Sequence, residues 1–241
     1  MKLFKSITVL VFLLSTTLSS AQWGNGKKIK GNGDITTVKR TTSDYEGLKA
    51  AGPMDFILVE GTEGNITIKA DANLIDYIVT EVKNNKLVVK VKDGINLKPT
   101  QAIVITVPYE NINSVSLAGS GDIENRGTIE SSDFNVAVAG SGDIKLNVSA
   151  QNIESSIAGS GDITLKGTTK DLTTKIAGSG DFNGSNLSSK NVTAKITGSG
   201  DISVICNGEL TVRITGSGDV EYSGKPTKKD TKITSSGSVS N

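Results

Sequence analysis

The tetrapeptide Gly-Ser-Gly-Asp begins at Gly119, Gly140, Gly159, Gly178, Gly198 and Gly216, at steps of 21, 19, 19, 20 and 18 residues. A period near 20 is the length of one small supersecondary unit, which cannot bury an apolar face alone, so the copies must stack on one another. Two residues before each first glycine stand Leu117, Val138, Ile157, Ile176, Ile196 and Ile214. Four after it stand Ile123, Ile144, Ile163, Phe182, Ile202 and Val220, and a degenerate seventh copy, KITSSGSVSN, adds Ile233 and Val239 to the two columns. An even spacing separates the columns, so both face one side of a strand of period two. Around Gly140 the same parity is shared by Phe134, Val136, Val138, Ile144, Leu146 and Val148, and also by Gly140 and Gly142.

Each repeat therefore reads as a strand, a Gly-x-Gly corner, a second strand and a variable return such as NRGT, KGTTKD, NGSNLSSKN or CNGE. At about 3.3 Å per residue, a coil of this length has a perimeter of at most roughly 60 Å, and coils stacked at about 4.8 Å bury a continuous apolar strip. The pattern predicts an all-β protein built as a single-stranded parallel β-helix. At the corner, glycine supplies a missing Cβ where walls approach, and access to positive φ. Ser and Asp take the outward parity, where the carboxylate can accept turn N–H groups. Cys206, the sole cysteine, shares the inward parity of Ile202 and Val204, which predicts a buried small hydrophobe and leaves no partner for an internal disulfide.

The first 21 residues differ in kind. Lys2 and Lys5 precede the apolar run ITVLVFLL, which is short for a bilayer span, and Ser19-Ser20-Ala21 offers a cleavage site. Residues 1–21 are thus expected to be an export signal, 22–30 a flexible mature N-terminus, 31–110 an N-terminal β region, and 111–241 the repeat coils with a polar C-terminal cap. Loss of Lys2 and Lys5 leaves 24 basic against 25 acidic residues, a balance that gives no reason to expect nucleic acid as partner. No second apolar segment suggests an integral membrane span after cleavage. The expected location is periplasmic, cell-surface or extracellular.

Residues 31–110 carry MDFILVEG, NITIKA, YIVTEVKNN, KLVVKVKDG and QAIVITVP, short β-rich runs punctuated by Gly, Asn and Asp; DANLIDYI could make one helical turn. They fit either early irregular coils or an antiparallel cap. The order of GNGDITTVKR, the V-E-G turn, A-D-A-N-L, E-V-K-N-N-K-L and the Gly-Ser-Gly-Asp corners resembles the head GIN domain family of auto-transporter adhesins, over about residues 31–239. That resemblance implies an exported β-helical envelope protein. With the general rule for crossovers, it also implies a right-handed coil. It brings no catalytic residues to carry over.

Three surface features are candidates for function. The corner carboxylates Asp122, Asp143, Asp162, Asp181, Asp201 and Asp219 form a column whose neighbours repel by about 0.9 kcal/mol even in bulk water. A cation bridging coils would offset this, although one Asp per coil supplies few of the oxygens that Ca²⁺ requires. Three residues before the glycines, Lys175, Lys195, Arg213 and Lys232 form an outward cationic ladder suited to an acidic surface glycan, or to keeping a β surface from associating. The plentiful Asp and Glu residues also admit a carbohydrate-active enzyme acting on acidic polysaccharide. Against that stand the absence of His and the inward parity of Phe134, Phe182 and Tyr222. No cofactor is expected. A non-catalytic binding or scaffold role is the favoured expectation, with a surface glycan or protein as partner and end-to-end homo-oligomers conceivable.

Overall fold

The computed structural model describes residues 26–241. The export signal expected at residues 1–21, and residues 22–25 of the segment after it, lie outside the described residues. The repeats form a parallel β-solenoid of about seven turns. Its registers align the first glycines of successive coils, Gly119 with Gly140, Gly140 with Gly159, and so on to Gly216. Once the glycines are in line, the columns on either side follow. Leu117, Val138, Ile157, Ile176, Ile196 and Ile214 stack in one row, and Ile123, Ile144, Ile163, Phe182, Ile202 and Val220 in another. All are buried in one continuous core.

The N-terminal region contains both of the structures expected as alternatives. Two further coils stack beneath the repeats, but not in chain order. Strands Gly47–Gly52 and Met54–Glu60 pair directly with Ser114–Gly119 and Ile123–Arg126. Below them lie Lys86–Val91 and Ile103–Tyr109, which come later in the chain. The segment Gly52-Pro53-Met54-Asp55-Phe56 is therefore an additional corner in the stack, with Gly52 in register with Gly119 and Phe56 with Ile123.

An antiparallel cap closes this end. Ile78–Lys83 covers Lys86–Val91, while Asn65–Asp71 covers Ile103–Tyr109 and is itself covered by Ile35–Thr41. The expected helical turn is a 3₁₀ segment, Ala72–Tyr77, with Leu74 and Ile75 buried. Arg40 reaches its end, donating to the carbonyls of Ile75 and Ile78, so a charged donor joins the Ile78 N–H that already caps Ile75. One expectation is corrected. Lys27–Lys30 is a strand, not flexible chain, because its backbone pairs with Ile95–Lys98 and Ile29 packs against the core.

Candidate functional site

The Gly-Ser-Gly-Asp corner is resolved by what surrounds each of its groups. A Cβ on Gly119 would lie 2.7 Å from the carbonyl oxygen of Gly52 in the coil beneath, and its φ of +138° lies where L side chains rarely go. A Cβ on Gly142 would be driven into the Gly121 carbonyl. The second glycine thus makes room for the backbone of the adjacent coil. In four corners the first carbonyl is shared: Gly119 O accepts from Ser141 N at 2.9 Å and from Gly142 N at 3.0 Å, and Gly140, Gly159 and Gly178 accept from the next coil in the same way.

The Asp column is knit to the same stack. Asp122 Oδ1 accepts the N–H of Asp143 at 3.1 Å, Asp143 that of Asp162 at 3.1 Å, and Asp162 that of Asp181 at 2.8 Å. Asp181 and Asp201 continue the pattern, each at 2.8 Å. At the ends, Asp55 accepts from Asp122, and Asp219 accepts from Ser238 N and Oγ. The donor is the amide of the next coil rather than of the residue's own turn, and each such bond opposes the repulsion between stacked carboxylates. Among the described residues no group of three or more Asp, Glu or Cys is gathered as a metal-binding cluster.

The cationic column is brought together as the spacing predicts. Lys175 is in register with Lys195, Lys195 with Arg213, and Arg213 with Lys232. Two of the four carry carboxylate partners that the ladder reading overlooked. Lys175 Nζ is 2.5 Å from Glu154 Oε1, and Arg213 bonds the Asp230 carboxylate and carbonyl. The Arg213 hydrogen bond holds the Asp230 carboxyl below the ordinary carboxylate range. Lys195 and Lys232 have no ion pair among the described residues. The signal for the partners lies two residues upstream of the ladder, where Asn135, Glu154, Thr173, Thr193, Thr211 and Asp230 share its outward parity and register.

A third outward row completes this wall. Asp133 accepts from Asn152 Nδ2 at 2.8 Å and Asp171 from Asn191 Nδ2 at 2.7 Å, so acids and amides alternate up the stack. Asn152, Asp171, Glu154, Thr173, Lys175 and Lys195 line one shallow groove across neighbouring coils. Hydroxyl, amide, carboxylate and ammonium groups thus face solvent on a rigid lattice with a repeat of about 4.8 Å along the stack. Such a surface can exchange hydrogen bonds with a hydroxyl-rich polymer and attract its negative charges.

A second depression draws Asp44, Glu46, Glu63 and Glu110 from distant loops, which no local pattern could have joined. Glu63 is committed to the loop backbone, accepting from Tyr45 N at 2.7 Å and from Glu110 N at 3.3 Å. Cys206 is buried and free, and burial raises its thiol pKa, which keeps it from acting as a ready nucleophile.

Comparison with known proteins matches residues 44–226 to a family model described as "Putative auto-transporter adhesin, head GIN domain". A solved "putative adhesin" from Bacteroides fragilis superposes with a TM-score of 0.81 at 22% identity, covering 88% of this chain and 99% of its own. A "putative lipid binding protein" from Parabacteroides distasonis gives 0.74 at 26% identity, covering 89% and 99%. A "putative adhesin" from Parabacteroides merdae gives 0.71 at 22%, covering 89% and 98%. No curated protein matches the chain.

Proposed function

The chain belongs to the head GIN domain family, and from that premise we propose an exported, non-catalytic adhesin whose polar wall around Lys175 and Lys195 holds an acidic surface glycan. The observation that carries this reading is the register of three outward rows: Asp and Asn, then Glu and Thr, then Lys and Arg, fixed by the same pairing that stacks the core. Rigid elements hold recognition groups better than loops do, and a repeating lattice suits a repeating polymer.

Family and neighbours carrying the name adhesin support a binding role. One relative is named for lipid binding. Here the interior is filled by side-chain columns, and Ile233 alone is an exposed large apolar residue among the described residues, which favours the polar wall over a lipid pocket. Screening the purified protein on a glycan array tests the reading. Selective capture of uronate- or sulfate-bearing glycans is expected, with no sugar release on prolonged incubation. Equal indifference to acidic and neutral glycans would refute binding, and release of oligosaccharides would refute the non-catalytic part.

A further inference from the structure

The two ends of the solenoid are finished differently. At the N-terminal end antiparallel strands cover the outer edges of both lowest rungs. At the other end Lys228–Thr234 pairs only with Glu209–Gly216, and Val239–Ser240 only with Val220–Ser223, among the described residues. The last rung thus presents an unpaired backbone edge, and its inward positions, Lys229, Thr231 and Ile233, stand above the buried Leu210, Val212 and Ile214. Lys229 lies over the Tyr222 ring at 5.3 Å and bonds its hydroxyl at 3.2 Å, a partial lid, while Ile233 remains 40% exposed.

We infer that this edge is the dimer surface of the protein, pairing Lys228–Thr234 antiparallel with the same strand of a second copy about a two-fold axis at Thr231. The register follows from charge and parity. Antiparallel neighbours directly opposite share a face, so a symmetric pairing must centre on a residue. Centring on Asp230 sets Asp230 against itself and Lys228 against Lys232; centring on Lys232 sets that lysine against itself. Centring on Thr231 opposes Asp230 to Lys232 twice on the outer face and lays Lys229 beside Ile233 on the inner face, using the whole strand. Opposite charges in such cross-strand pairs are favourable and like charges are not. The pairing also covers the exposed Ile233 and continues the sheet through the dimer, as an isologous interface requires.

Sedimentation analysis of the purified protein, with variants, tests this. A monomer–dimer equilibrium is expected, weakened about tenfold or more by Lys232→Asp, which creates two like-charge pairs, and recovered by the exchange D230K/K232D. Recovery is a result that mere damage to the strand would not give. The axis predicts that Thr231→Cys forms an interchain disulfide under mild oxidation, since directly opposed Cα atoms lie about 4.5–5.5 Å apart. Thr234→Cys, about 20 Å from its symmetry mate, should not. A protein monomeric at all concentrations overturns the dimer, as does association without Thr231→Cys cross-linking or without recovery in the exchange. This interface consumes Lys232 but leaves Lys195 open, so glycan binding and dimerisation can fail separately.

Discussion

The carboxylate of Asp143 accepts the backbone N–H of Asp162 from the next coil at 3.1 Å, and Asp162 treats Asp181 in the same way at 2.8 Å. A column that looks like a place for cations is thereby a row of acceptors for amides, spaced by the coil repeat itself. Asp162→Ala should cost about 1 kcal/mol, because it leaves the Asp181 amide without its protein acceptor. Asp162→Asn keeps an oxygen there and relieves like charge, so its effect should stay within about 0.5 kcal/mol. Urea midpoints at neutral pH compare the two; equal losses would contradict the acceptor role.

Gly142→Ala should be among the most damaging single changes, about 3 kcal/mol or more, since its methyl meets a backbone carbonyl that cannot yield without disturbing the adjoining coil. Gly33→Ala is the contrast. That glycine has φ +82° but, among the described residues, nothing within 4 Å of its Cβ position, and only the conformational cost of about 1 kcal/mol is expected. Thermal unfolding of the pair separates steric from torsional need.

Ser155 and Thr174 stack in register within the core, fully buried, with hydroxyls that have no hydrogen-bond partner among the described residues. Thr174→Val keeps the shape and removes a polar group whose burial is uncompensated, so it should stabilise the solenoid by about 1 kcal/mol. A lower unfolding midpoint would show that the hydroxyl is satisfied by a buried water.

Asp71 is buried in the cap and accepts from Thr100 Oγ1 at 2.7 Å, Thr100 N at 2.9 Å and Gly33 N at 2.7 Å. The Thr100 hydroxyl, followed by these amides, holds its carboxyl below the ordinary value of 3.8. A depressed folded-state pKa stabilises above the unfolded value, and this contribution is lost as pH falls through the folded one. Protection of the amides in residues 31–36, measured against their intrinsic exchange rates, should therefore fall below about pH 4, and Asp71→Asn should remove that loss. An unchanged acid response in the variant would contradict the assignment.

Much of the solenoid was legible because its pairing is repeated locally: parity alone placed Leu117 to Ile214 in one buried row and Lys175 to Lys232 in one exposed row. The corner at Gly52 was not, because Pro53 and Met54 replace the Ser and Gly that mark the others, and because its coil lies out of chain order. Inverted stacking is a matter of long-range pairing, which leaves no periodic trace. Glu154 and Asp230 were visible as residues on the ladder's face. Their neutralising role emerged only when the register set Glu154 diagonally from Lys175, and Asp230 diagonally from Arg213.

Binding of a defined acidic oligosaccharide to the wild-type protein and to Lys195→Glu, across a range of salt concentrations, tests the central claim most directly. Lys195 has no ion pair to lose among the described residues, so the substitution alters the charge of the wall while leaving its packing intact. Salt-sensitive binding by the wild type, weakened about tenfold or more by the reversal, is the predicted result. Binding that is unaffected by both salt and Lys195→Glu would place the glycan elsewhere and contradict the account.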